Sequence, residues 1–233
     1  MLGRKAIWII GITLAMFLLR AVLIVQAEET AAAPSRMAES AIEELTPLSL
    51  QFVDGAITVL SRGWSGMNEA ERETFLQIYD PAGTGEVDEL YVAEVLENYR
   101  QIRSTLSAGM PVVYVQQSDT CEGQRLYFTD LTRLYVCPHF FEEKNDLRKA
   151  RTLIHEMTHK ALLVSDRAYY RPTSKQYAKL TPNGSWAAQL PLLGRVLREV
   201  LRGDTLYHPD AYAHYALLNA GYNNIYAPVN TDQ

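Results

Sequence analysis

Five consecutive residues, His155-Glu156-Met157-Thr158-His159, bring two imidazoles and a carboxylate within little more than one helical turn. Apolar residues flank them, Leu153 and Ile154 before and Leu162 and Leu163 after, and the pattern predicts a helix. Helix positions four apart differ by about 40° around the axis, so both rings can reach one ion. Glu156 projects about 100° from His155, which keeps it out of the coordination shell but near the ion's open position. A carboxylate there can take a proton from water. The constellation points to hydrolysis assisted by one zinc ion per chain, with His155 and His159 as ligands and Glu156 as general base. A helix that merely shows two histidines to solvent is the bland reading, and the apolar flanks weigh against it.

A catalytic zinc takes three protein ligands and keeps a fourth position for water. A third histidine six residues beyond the second, with a glycine midway, is absent, because Ser165 and Leu162 stand at those positions. Two carboxylates remain as candidates. Glu199 lies in a later helical stretch, Leu-Arg-Glu-Val; Asp166 lies seven residues beyond His159 and is followed by Tyr169. A helix ending near Leu163 lets the chain turn back and aim a short carboxylate at the ion from a loop. The other histidines, His139, His208 and His214, are expected to be ordinary side chains rather than ligands.

With these residues the chain resembles the aspzincins, the deuterolysin family of zinc endopeptidases that includes the lysine-specific metalloendopeptidases, and in particular its bacterial members. They combine H-E-x-x-H with G-T-x-D-x-x-Y-G. The segment from Leu134 through Cys137 to Phe141 is similar to the family's strand and cysteine before the motif, and Pro209-Asp210-Ala211-Tyr212 is similar to its Asn-Ala-Asp-x-Tyr. The match covers roughly residues 110 to 220. The resemblance implies that Asp166 is the third ligand, that Tyr169 stabilises the tetrahedral oxyanion, and that Asp210 lines the pocket for the residue after the cut. Ala213 stands where lysine-specific members carry a second acid, so a modest bias toward Lys or Arg is expected. Gly-Thr is missing from Leu163-Val164-Ser165 ahead of Asp166 and Tyr170 replaces the final glycine, which removes two positions tolerant of positive φ. These losses motivate an alternative: an exported binding or adhesion domain that keeps a non-catalytic metal site.

The elements that must position these groups follow from the rest of the chain. Its 233 residues are 48% hydrophobic and 21% charged, which suits a folded globular protein. Arg4 and Lys5 precede an apolar stretch ending in Val25-Gln26-Ala27, read as a signal peptide over 1–27 or, if uncleaved, an N-terminal membrane anchor. A secreted or periplasmic protein is expected. Three of the 22 bases lie in that stretch, so the remainder has 19 bases against 27 acids, a balance that disfavours nucleic acid. The expected partner is a protein or peptide substrate, and the expected state is a monomer. In an exported chain the two cysteines, Cys121 and Cys137, are expected to form a disulfide.

Residues 28–37 read as a linker and 38–233 as one metallopeptidase domain, with a helical part over 38–108 and a catalytic part over 109–222. Helical periodicity covers Met37 to Leu60 with a break or first turn at Pro47, then Glu69 to Ile78 and Val87 to Leu106. Between the last two, the turn beginning at Asp80 has the outline of a calcium loop but offers Ala82 and Tyr91 where carboxylates are needed. Short Val- and Tyr-rich runs over 111–138 predict a small antiparallel sheet. Helices are expected again over Asp146 to Leu163, Ala187 to Leu201 and Pro209 to Leu218. The fold class is therefore α+β and mainly helical, with the sheet placed before the active-site helix, and the resemblance implies a zincin-like arrangement.

Overall fold

The computed structural model describes residues 34–80, 87–116, 121, 126–164, 168–171, 176–179 and 208–222. The expected signal stretch, most of the calcium-like turn and the helical stretch at 187–201 lie outside them. Helix α1 covers residues 34–60 and buries Ala38, Ile42, Leu45, Phe52, Val53, Ala56 and Leu60 along one side. Pro47 does not break it. Proline removes the hydrogen bond to the carbonyl four residues earlier, and here both Pro47 and Glu43 are exposed, so water can take that carbonyl. The apolar stripe on the opposite side holds the helix straight through.

A short helix α2 (Gly63–Gly66) leads to α3 (Glu69–Tyr79) and α4 (Glu89–Ala108). Helix α3 starts with a capping box, in which the Asn68 side chain accepts from Glu71 N–H and the Glu71 side chain accepts from Asn68 N–H. Asp88 caps α4 by accepting from Tyr91 N–H, and Gly109 ends it at φ 68°.

Three strands follow, β1 (Val112–Tyr114), β2 (Tyr127–Thr129) and β3 (Leu134–Val136), in the order β1-β3-β2. The β2 and β3 pairing is antiparallel with Tyr127 opposite Val136, whereas β1 runs parallel to β3 with Val112 opposite Leu134. The sheet is therefore mixed rather than wholly antiparallel. A tight turn at Asp130 forces β2 and β3 to oppose, while β1 reaches β3 over a longer connection that leaves its direction free. Cys121 and Cys137 are disulfide-bonded, with Cα atoms 5.6 Å apart.

Helix α5 (His139–Glu142) and helix α6 (Asp146–Leu162) come next, then a hairpin of β4 (Ala168–Arg171) and β5 (Gln176–Lys179), and finally α7 (Pro209–Asn219). Helix α6 buries Ala150, Leu153, Ile154 and Met157 and packs against α4, α7 and β2. An aromatic cluster of Phe75, Tyr79, Tyr99, Tyr212 and Tyr215 joins α3 and α4 to α7. The Tyr99 hydroxyl donates to the Tyr212 carbonyl at 2.6 Å, and the Asn98 amide donates to the Tyr212 hydroxyl at 2.7 Å. These contacts fix α7 against α3 and α4. The architecture is α+β and mainly helical, and among the described residues no helix is long and apolar enough to cross a membrane.

Candidate metal centre

Helix α6 is well specified at both ends. The Asn145 side chain caps it by accepting from Leu147 N–H and Arg148 N–H, with Asp146 in the first turn and His159 and Lys160 in the last, the arrangement the helix dipole favours. At its C-terminus Leu163 takes a left-handed conformation at φ 53° and is 77% exposed. A non-glycine residue there costs about 1–2 kcal/mol. The turn brings the Val164 carbonyl back over the last turn of the helix, where it accepts from His159 Nδ1 at 2.8 Å.

His155 is 6% exposed, and its Nδ1 lies 3.3 Å from Asp210 Oδ1. Since a carbonyl and a carboxylate can only accept, both histidines carry a proton on Nδ1, and each ring in its neutral form then leaves a lone pair on Nε2. The two Nε2 atoms face each other at 3.2 Å. Two lone pairs aimed together repel unless a cation lies between them. Nitrogens held by one tetrahedral zinc at about 2.05 Å each are about 3.3 Å apart, so the donor pair fits that ion.

Arg151 stands one turn before His155 on the same face of α6. Its Nη1 donates to Asp210 Oδ1 at 3.1 Å and to His214 Nε2 at 3.0 Å. Asp210 sits in the first turn of α7 behind Pro209, 1% exposed, and its other oxygen lies 3.6 Å from His214 Nε2. Burial opposes ionisation of Asp210, but the hydrogen bond from His155 and the charge of the Arg151 guanidinium outweigh it and hold the carboxyl below the ordinary carboxylate range. Burial pushes the His214 imidazole down to about 4 against the pull of Asp210, and the Arg151 cation adds to the depression. His214 is therefore neutral and accepts from the guanidinium.

Of the residues singled out from sequence, His155 and Glu156 are buried in the C-terminal half of α6, with Glu156 8% exposed, and His159 one turn on is half-buried. Asp210 is brought to them, but its carboxylate is packed against His155 Nδ1 and Arg151 rather than opening toward a substrate side chain. Asp166 and Glu199, the alternative third ligands, lie outside the described residues. Among the described residues no group of three or more His, Cys, Asp or Glu is placed to hold a metal. Tyr169 falls in β4, paired with Ala178 in the hairpin, and β4 packs against α7. His139 pairs with Glu142 within α5. Arg151 was not singled out from the sequence and His214 was read as ordinary; the available signal was spacing, since Arg151 precedes His155 by four and His214 follows Asp210 by four.

No protein-family profile and no curated protein sequence matches the chain. Among solved structures it is similar to a zinc peptidase from Grifola frondosa. The TM-score is 0.49 at 13% identity, over 79% of this chain and 96% of that one. A likeness of that degree does not bear on this chain's chemistry, and the functional reading rests on the donor geometry.

Proposed function

We propose that the chain is an exported zinc-dependent endopeptidase. The observation that carries this reading is the pair of His155 and His159 Nε2 lone pairs facing each other at 3.2 Å with both Nδ1 atoms committed elsewhere. His155 and His159 hold the ion, and Asp166 completes the ligand set as the resemblance to the aspzincins implies. When bound, the zinc supplies Lewis acidity to a water and to the scissile carbonyl. Glu156, one residue from a ligand and largely buried, takes the attacking water's proton and returns it to the leaving amine nitrogen. Tyr169 donates its phenolic proton in a hydrogen bond to the developing oxyanion. Substrates are proteins or peptides, met outside the cytoplasm.

Metal analysis of the purified chain together with hydrolysis of an unfolded protein tests the reading. The wild type is expected to hold one zinc and to lose activity to a chelator. Glu156→Gln is expected to keep the zinc and lose activity, whereas His159→Ala loses both. A folded wild type that holds zinc yet hydrolyses nothing would favour the non-catalytic binding domain, and no zinc at all would refute both.

A further inference from the structure

Resting on that metal-site reading, we infer that Arg151 is a positioning residue: through Asp210 it holds the His155 imidazole in the tautomer and orientation that presents Nε2 to the metal. A buried carboxylate facing a ligand histidine needs its own fixed partners, otherwise it is an uncompensated charge. Here one Nη1 of Arg151 donates to the same Oδ1 that faces His155 Nδ1, and also to His214 Nε2. Arg151 and His155 lie one turn apart on α6, and Asp210 and His214 one turn apart on α7, so the two helices close a four-membered polar cluster. The Arg151 side chain is 14% exposed, and those of Asp210 and His214 are 2% and 3%.

This arrangement assigns Asp210 inward. Its Oδ1 is shared between the guanidinium and the imidazole, and its Oδ2 faces His214. The cation that Asp210 receives is the protein's own Arg151, and the carboxylate acts on His155 instead of on a substrate. Groups that hydrogen-bond the far nitrogen of a ligand histidine typically change metal affinity 10- to 100-fold when removed.

Zinc affinity of the full chain, measured by competition with a chromophoric chelator, tests the inference without recourse to activity. Arg151→Met and Asp210→Asn are each expected to weaken zinc 10- to 100-fold. Arg151→Lys, which keeps a cation beside Asp210, is expected to recover most of the loss. In the zinc-loaded wild type, nitrogen-resolved NMR is expected to show the His155 Nδ1 proton protected from solvent exchange, and Arg151→Met is expected to speed that exchange. Affinity within about twofold of wild type in folded Arg151→Met would overturn the inference. If that variant does not fold, a rapidly exchanging His155 Nδ1 proton in the wild type overturns it on its own. His159→Ala separates the two levels: zinc retained there refutes the metal site itself, whereas zinc lost there and unchanged in Arg151→Met refutes only the role of Arg151.

Discussion

The disulfide offers a quantitative test of how the sheet is tied to the site helix. Cys137 is buried directly after β3, where its N–H donates to the Leu126 carbonyl at 2.9 Å, and β2 beside it packs on α6. Cys121 is 16 residues away in sequence. Chain-entropy bookkeeping for a closed loop of that length predicts stabilisation by about 3 kcal/mol at 25 °C. For a domain of this size, that corresponds to a melting temperature about 6–12 °C lower once the link is removed. The measurement is calorimetric melting of wild type with and without reductant, beside the double variant Cys121→Ala, Cys137→Ala. Reduction leaves the side chains in place, so it isolates the link; the double variant adds a small void at the buried Cys137. Thiol labelling of denatured, unreduced wild type should find no free thiol. Two free thiols, or melting temperatures equal within about 2 °C, would refute the reasoning.

Other expectations follow from the cluster and the aromatic core. Because the folded His214 pKa is depressed to about 4 while an unfolded histidine titrates near 6.5, the unfolded chain binds more protons between those values. Stability is therefore expected to fall by about 3 kcal/mol as pH drops from 6.5 to 4, measured by denaturant titration with chelator throughout; an equal slope in His214→Gln would refute the assignment. Tyr99→Phe removes the donor to the buried Tyr212 carbonyl and should cost about 1–3 kcal/mol in urea unfolding, with a neutral result counting against the contact. Since Asp210 is already paired internally, peptide-library profiling should show no preference for Lys or Arg after the cut, and strict lysine selectivity would show that another acid lines the pocket. Leu163→Gly should stabilise the protein or leave it neutral, because relief of the left-handed leucine offsets the greater freedom of glycine in the unfolded chain; a loss above about 1 kcal/mol would contradict this.

Local patterns made much of this legible. Helix α6 could be read from its apolar spacing and α7 from a proline and an acid at its start, since both signals lie within the element they specify. The expected break at Pro47 failed because proline removes one hydrogen bond at a position where water replaces it, while seven buried apolar residues keep the helix in place. The direction of β1 was not legible, because a three-residue strand carries its face pattern but not its partner's orientation. The strand at Ala168–Arg171 was hidden by the expectation of a loop after α6. Arg151 shows the limit most clearly. Its spacing to His155 was visible, but Asp210 lies 59 positions away and nothing local announces that contact.

That distance along the chain also sets an order of assembly. Synthesis delivers α6, with both imidazoles, before α7 exists, and at about 5–20 residues per second the interval is several seconds. During it the two histidines stand on a helix with no carboxylate behind His155. The ties that bring α7 home span still longer stretches, 113 positions for Tyr99 to Tyr212. The candidate metal centre consequently gains the carboxylate behind His155 only once α7 has been made and docked. Loss of the segment from His208 onward, by truncation or by a nick, would return His155 to that unsupported state while leaving every residue of the H-E-x-x-H helix intact.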